Sequence, residues 1–456
     1  MNFNPLSLSS PFGYREDSSP MLMTRLSVKA CIIIMGFLGL LGWGDVNSAI
    51  AANQEGKPGS KNSTVLRLSL DDAIAMFLRQ NLDLLKAKYG IETAKAQKIT
   101  AGLFPNPEFS IETLSAYTQF CNLSDCGAIN HVLSQLFVVA GKRGFRIESA
   151  EFGTQSAEAG FEDTLRQLSF AVKDAYYRVQ VARRHLAFDK QTRDQLYRAF
   201  KKMTAESPRI GNEEDHIRIK IQAAGAQSAM IRDIQQIDSD TADLLLLLAL
   251  SPETKLALTT KLTYHRVEPD IIALQGHIED ARPDVRAKHL LHAKRRSELK
   301  LALAIRYPDV TVDLGLAIQG SKGPDNQQQW TFNVGMPLPV FDRNQGGMKE
   351  AATAVQVAEA DLRQTLNEAH AQVDLAHRHL VQSRRLVEAY RARALSAAES
   401  LLDTVKKSYE TGKTGILSFL DAHRTRTDIQ EAYLDALYNY QHDILRLESA
   451  VGQTMG

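Results

Sequence analysis

Val310-Thr311-Val312-Asp313-Leu314-Gly315-Leu316-Ala317-Ile318-Gln319 alternates between apolar and polar positions. Val310, Val312, Leu314, Leu316 and Ile318 share one face, and Thr311, Asp313, Gly315, Ala317 and Gln319 share the other. A little further on, Trp330, Phe332, Val334, Met336 and Leu338 stand opposite Gln329, Thr331, Asn333 and Gly335. Period two over about ten residues describes a strand with one apolar and one polar side. About ten residues is also the length of a tilted strand crossing a membrane. Taken alone, each segment fits an amphipathic sheet on a soluble core equally well.

The same order of events occurs earlier in the chain. Asp71 to His185 and Ala281 to His379 each run from a short helix to an alternating segment led by a proline, then a polar loop, a second segment and a long helical stretch. Pro105 and Pro308 lie 203 residues apart, and Asp174 and Asp374 lie 200 apart. A period of that size is a duplicated domain rather than a solenoid. The first-half strands are less regular. Phe109, Ile111 and Leu114 stand against Glu108, Ser110 and Glu112, and His131 to Val139 is the poorest match. Strands are expected near 104–114, 131–139, 308–320 and 328–339. Four strands cannot close a barrel, since about eight is the small end, so a barrel requires several chains.

The remainder reads as helix. Leu165, Leu168, Val172, Ala175, Val179, Ala182 and Leu186, and again Tyr433, Leu437, Tyr440, Ile444, Leu447 and Val451, repeat at alternating spacings of three and four. These are the seams of helices packed side by side. Breakers are almost absent from Phe145 to Ser207 and from Lys349 to Thr411. At 1.5 Å per residue, such helices reach roughly 95 Å, a length suited to crossing a gap. Each reverses once, at Ser207-Pro208-Arg209-Ile210-Gly211-Asn212 and at Tyr409-Glu410-Thr411-Gly412-Lys413-Thr414-Gly415. Proline stops the helix and glycine permits the reversal. The expected repeats are 65–250, with a helical hairpin over 144–250, and 265–456, with a hairpin over 344–451. Ser69 with Asp72 resembles a capping box opening a helix from Ala73 to Phe104.

Near the start, Arg25 and Lys29 precede the apolar run Ala30 to Trp43, and Ala49-Ile50-Ala51 follows. This reads as a signal peptide over 1–51, with an uncleaved anchor helix as the alternative. Residues 52–64 form a flexible lead-in. If an exported chain with no further long apolar run enters a membrane, it does so as a barrel. The 456 residues carry 54 Lys plus Arg against 53 Asp plus Glu, a net charge of +1. That balance argues against a nucleic-acid partner. Three cysteines exclude a disulfide scaffold.

Two repeats of helix, strand pair and long hairpin resemble the TolC-type outer-membrane efflux protein family. The resemblance is carried by Leu68-Ser69-Leu70-Asp71-Asp72-Ala73-Ile74, Phe104-Pro105-Asn106-Pro107, and Tyr409 and Gly412 with Asp421. Gly141-Lys142-Arg143 and Pro337-Leu338-Pro339-Val340-Phe341-Asp342-Arg343-Asn344-Gln345-Gly346 are similar to the branch serving heavy-metal exporters of the resistance-nodulation-division class. The resemblance implies a mainly α fold with a transmembrane β-barrel. It implies a homotrimer sharing a 12-stranded barrel and an α-helical tunnel across the periplasm. The implied partners are outer-membrane lipid, a periplasmic adaptor and an inner-membrane pump. Heavy-metal cations are the expected cargo. Drugs or a secreted polypeptide are the alternatives within this fold, and a soluble periplasmic coiled-coil adaptor is the alternative outside it.

The resemblance also implies a gate at the periplasmic tip. Asp421 matches an aspartate lining the closed entrance in the family. A second family aspartate three residues earlier is Ser418 here, and the basic residue expected near Thr414 is absent, with Lys413 adjacent, so a weaker gate or one latched by other pairs is expected. Asp215, after the first reversal, is the expected partner. The competing reading of Asp421 is a solvated carboxylate at a helix start, favoured by the helix dipole. Tyr409, Gly412 and Gly211 read as turn and packing residues. Glu108, Glu112, Asp313 and Gln329 would wet a barrel lumen.

Cys121 and Cys126 suggest a disulfide in an oxidising compartment, with free thiols or a metal site as alternatives. No catalytic constellation is present: no phosphate-cradling glycine loop, no G-x-S-x-G and no H-E-x-x-H. His289 and His292 share a helix face but lack a third ligand, and His377 and His379 fall on different faces. No enzyme activity, cofactor or resident metal is expected.

Overall fold

The computed structural model describes residues 65–114, 128–206, 213–319, 328–411 and 413–453. β1 (Leu66–Leu68) leads to α1 (Leu70–Gln80) and α2 (Leu82–Gly102). β2 (Glu108–Leu114) and β3 (Ala128–Phe137) follow, then α3 (Lys142–Glu206) and α4 (Glu213–Leu247). The second run is β4 (Leu256–Leu258), α5 (Ile271–Gly276), α6 (Ile278–Ala281), α7 (Pro283–Ile305), β5 (Val310–Gln319) and β6 (Gln328–Gly335). Then come α8 (Gln345–Ala389), a π turn at Tyr390–Ala394, α9 (Leu395–Glu410) and α10 (Ile416–Val451).

Ser69 and Asp72 form a reciprocal capping box at the start of α1. The helix expected from Ala73 to Phe104 breaks at Asn81. Asn81 Oδ1 accepts the Leu84 N–H at 2.9 Å and so caps α2, while its Nδ2 donates to the Leu247 carbonyl at 2.8 Å. Gln80 Nε2 donates to the Leu248 carbonyl at 2.6 Å. A cap and two ties to the end of α4 outweigh helix continuity.

The strands are shorter or shifted where proline or turn geometry dictates. β2 begins at Glu108 because Pro105 and Pro107 offer no N–H to a ladder. β3 begins three residues before His131 and stops at Phe137, since the Val139 N–H goes to Asp309 Oδ1 at 3.0 Å. Ala140 and Gly141, with φ of 58° and 73°, then turn the chain into α3. β6 ends at Gly335, ahead of Pro337 and Pro339. The four strands form one antiparallel sheet in the order β2-β3-β5-β6, so the two repeats meet at β3 and β5. β1 and β4 pair in parallel as a small separate sheet that hydrophobic alternation does not announce.

α3 runs for 65 residues, about 98 Å at the helical rise. Its counterpart continues through the π turn to Glu410. That turn follows no proline or glycine. Tyr264 from the connecting segment brackets it, donating its hydroxyl to Glu388 at 2.6 Å and lying under the Arg391 guanidinium at 4.9 Å.

The main core collects both seams. Val172, Ala175 and Val179 of α3, Leu244 of α4 and Leu248 just beyond it, Val373 and Leu380 of α8, and Leu437, Tyr440 and Leu447 of α10 are all buried. Burying each large apolar side chain contributes about 1.5–3 kcal/mol. Two buried tyrosines tie the connecting segment to this core. Tyr176 donates its hydroxyl to the Leu68 carbonyl and accepts the Thr260 N–H, both at 3.0 Å. Tyr440 donates to the His265 carbonyl at 2.6 Å and accepts the Val267 N–H at 3.0 Å. Arg282 is buried at the start of α7, gripping Asp284 with two nitrogens and reaching Gln372 and the Ala450 carbonyl with the third.

Candidate functional site

Two regions carry the functional expectations, the sheet and the hairpin tips. In the sheet, cross-strand partners face the same side, so register alone sorts the residues. Glu108, Ser134, Asp313 and Asn333 align in one row, and Glu112, Asn130, Ala317 and Gln329 in another. All four expected lumen residues therefore share one face. Asn333 Nδ2 donates to Asp313 Oδ2 at 3.0 Å, fixing one of these carboxylates. Between the rows, Gly315 faces Thr331 across the ladder with Asn130 close by. Asn130 was missed because β3 starts earlier than the alternation indicates, and Ser134 because alternation in β3 is poor.

The opposite face is apolar across all four strands. Phe109 pairs with Leu133, Leu133 with Leu314 and Leu314 with Phe332. Ile111, His131, Leu316 and Trp330 form the next row. Trp330 and Phe332 are each 71% exposed, which is costly for such side chains in water. His131 is the polar exception, its ring stacked near Phe109 at 6.2 Å. Gln135, another exception, donates to the carbonyls of Pro105 and Leu136. These two residues explain why β3 reads poorly as an alternating segment. The edges of the sheet, β2 and β6, are unpaired among the described residues.

At the sheet's helical end the two repeats are locked together. Buried Lys142 donates to the Tyr307 carbonyl at 2.6 Å and to Asp309 Oδ1 at 2.8 Å. Arg143 Nε donates to the Gly102 carbonyl at 2.7 Å, with its guanidinium over the Phe104 ring.

At the other end, Leu196, Ile219, Leu402, Ile416, Phe419 and Leu420 form a second apolar cluster that joins the two hairpins. Tyr409 packs on it, stacked on Phe419 at 5.6 Å. Burial, then the charge of Asp215, pushes the Tyr409 hydroxyl up. Asp215 is half-buried at the start of α4, close enough for its charge to act on Tyr409. Asp421 and Ser418 are exposed on α10. Asp421 makes no ion pair among the described residues, and its backbone carbonyl accepts from Thr425. Gly211, Gly412, Cys121 and Cys126 lie outside the described residues.

One residue near the tip gave no sequence signal. His423 is 4% exposed on α10, and its Nε2 has no hydrogen-bond partner among the described residues. Burial, then neighbouring Arg426, pushes its pKa down to about 4, so it is neutral at pH 7. Among the described residues, no three of His, Cys, Asp and Glu are placed to hold a metal ion, and no helix is long and apolar enough to cross a membrane.

Comparison with known proteins gives the same picture. Residues 276–453 match the outer membrane efflux protein family. The chain is 24% identical over 386 residues to the cobalt-zinc-cadmium resistance protein CzcC of Cupriavidus metallidurans, covering 81% of this chain and 86% of that protein. It is 22% identical over 331 residues to outer membrane protein TolC of Vibrio cholerae, covering 67% and 72%. Its fold matches solved CusC with a TM-score of 0.71 at 18% identity, covering 84% of this chain and 92% of that one. It matches the open state of the Neisseria gonorrhoeae MtrE outer membrane channel with a TM-score of 0.72 at 17% identity, covering 84% and 89%. The family match lies over residues 276–453, and the chain as a whole shares its fold with solved outer-membrane channels.

Proposed function

We propose that this chain is the passive exit duct of a tripartite efflux system that carries heavy-metal cations from the periplasm to the outside. Its class, an outer-membrane efflux channel, is supported by the family match over residues 276–453 and by the likeness to an efflux relative along most of both chains. The observation that carries the duct is the two-faced sheet. One side is apolar in every strand and the other holds Glu108, Glu112, Asp313 and Gln329 in register.

A four-stranded sheet with bare edges cannot lie in lipid, where each unpaired N–H and C=O costs several kcal/mol. Joining β6 of one copy to β2 of the next removes those edges. Three copies would close a barrel of twelve strands. The long hairpins would then continue as a tunnel towards an adaptor and a resistance-nodulation-division pump. Energy comes from the pump. This chain supplies a wetted path, and Asp421 narrows it at the tip. The metal assignment is supported by likeness to a cobalt-zinc-cadmium resistance protein along most of both chains and by the Phe341-to-Gly346 segment.

The test is growth of a deletion strain, with and without the restored chain, on zinc, cadmium, cobalt, copper, silver, detergents and dyes. Sensitivity confined to metals is the expected result. Sensitivity to detergents and dyes alone would overturn the metal cargo and leave the duct. No sensitivity, together with no conductance of the purified protein in planar bilayers, would overturn the duct itself.

A further inference from the structure

About a third of the way along the helical hairpins from their tips, three helices bring acidic groups together. α3 supplies His185 and Asp189, one helical turn apart on the same stripe. α4 supplies Asp233, which faces Asp189, with Arg232 beside it. α10 supplies Glu431 and Asp435, again one turn apart, with Asp428 close to Glu431. His185 Nε2 meets Asp435 Oδ1 at 3.0 Å. Asp189 is only 5% exposed, and one oxygen of Asp233 is buried without a hydrogen-bond partner among the described residues.

Cations do not balance this charge. Arg232 is exposed. Arg426, also on α10, has its guanidinium over the Phe188 ring at 5.2 Å, with a nitrogen 3.9 Å from Glu399. Five carboxyls from Asp189, Asp233, Asp428, Glu431 and Asp435 thus face one imidazole and two exposed guanidiniums, Arg232 and Arg424, the latter 3.7 Å from Asp428. Crowded, partly buried carboxylates resist full ionisation, because each added charge is desolvated and meets its neighbours.

We propose that His185, Asp189, Asp233 and Glu431 form a proton-operated latch between the first helical hairpin and α10. With protons bound, the three helices close on one another. With protons released, like charges on α3, α4 and α10 push the seam apart. Asp421 lies ten residues nearer the tip on the same helix, about 15 Å away by helical rise, so the latch would move a rigid element that ends at the tip.

The titration behaviour agrees with this geometry. Burial, then the charge of Asp233, pushes Asp189 up to about 6. Burial is the largest cause of the raised values of Asp233 and Glu431. Burial alone would lower His185, but its hydrogen bond and charge interaction with Asp435, aided by Asp233 and Glu431, leave it raised. Asp189 therefore takes up its proton in mildly acidic solution, and the shifts of Asp233, Glu431 and His185 all favour the protonated form.

The test is hydrogen exchange on the full-length purified protein at pH 5.5 and 7.5, corrected for the intrinsic pH dependence of exchange. Peptides from α4 and from residues 424–438 report on the seam, and peptides from α8 serve as the control. Protection of the seam is expected to be about tenfold greater at pH 5.5, the effect of roughly one pKa unit, while α8 stays unchanged. In Asp189→Asn/Asp233→Asn, the seam should be as protected at pH 7.5 as at pH 5.5. If that double variant does not fold, Glu431→Gln and His185→Gln are measured singly, and each should shrink the pH difference. Equal seam protection at both pH values in the native chain would overturn the latch, as would an equal change in α8 or an undiminished pH difference in the variants. The readout is helix packing, so it stands or falls separately from the duct and its cargo.

Discussion

Asp421 illustrates how little a single carboxylate reveals on its own chain. It is exposed and makes no ion pair among the described residues, which fits a solvated helix-start acid as well as one side of a ring. The ring exists only if copies assemble around an axis, where three like charges would hold a constriction. The two readings differ in one measurement. If Asp421 closes the tip, Asp421→Ala raises resting conductance in planar bilayers several-fold and leaves the melting temperature unchanged. An unaltered conductance would return Asp421 to the solvated role. Tyr409 belongs to a different kind of site, since its ring is stacked on Phe419 and anchored in the apolar cluster that joins the hairpins.

Among the elements, the sheet shows why particular residues stand where they do. Gly315 sits mid-strand, where glycine ordinarily weakens pairing. A Cβ placed there would collide with Thr331 Oγ1 and lie 3.1 Å from Asn130 Oδ1, so the cross-strand neighbours occupy its space. Gly315→Val should cost roughly 1–3 kcal/mol by overpacking. The yield of assembled, detergent-resistant oligomer should fall, and Thr331→Gly in the same chain should restore part of it. Strand existence was legible from alternation in β5 and β6, where the polar and apolar sets are clean. It was poorly legible in β3, where His131 and Gln135 occupy the apolar face for reasons of stacking and backbone bonding. The break at Asn81 was not legible either, because its causes are carbonyls at the far end of α4, 166 and 168 residues away.

For the whole molecule, stability against pH is set by opposing groups. Asp189, raised to about 6, favours acid: its destabilising charge is fully present above that value and relieved as the pH falls towards 3.8. His423, lowered to about 4, acts in the opposite direction. It must charge on unfolding, so stability is lost as the pH falls from about 6.5 towards 4. From those two values the His423 contribution at pH 5 is about 2 kcal/mol. His423→Leu should therefore raise the melting temperature clearly at pH 5, and this titration adds nothing at pH 7.5. An equal gain at both pH values would mean that packing, rather than titration, decides the effect. Asp174 does not enter this window. Burial would raise it, but hydrogen bonds from His442 and Tyr438 leave it lowered, so its stabilisation is lost only in stronger acid.

Local periodicity determined much of this protein. Alternation marked the strands, and the three-four spacing marked the seams that became the buried core of α3 and α10. These patterns are legible because each is imposed by one face of one element meeting an apolar surface. Tertiary structure alone decided the strand register that places Glu108, Glu112, Asp313 and Gln329 on one side. It alone decided the lock of Lys142 on Asp309, the parallel pairing of β1 with β4 and the acidic cluster shared by three helices. In each of these the partners are far apart in sequence, and no residue's local pattern encodes the identity of a distant neighbour.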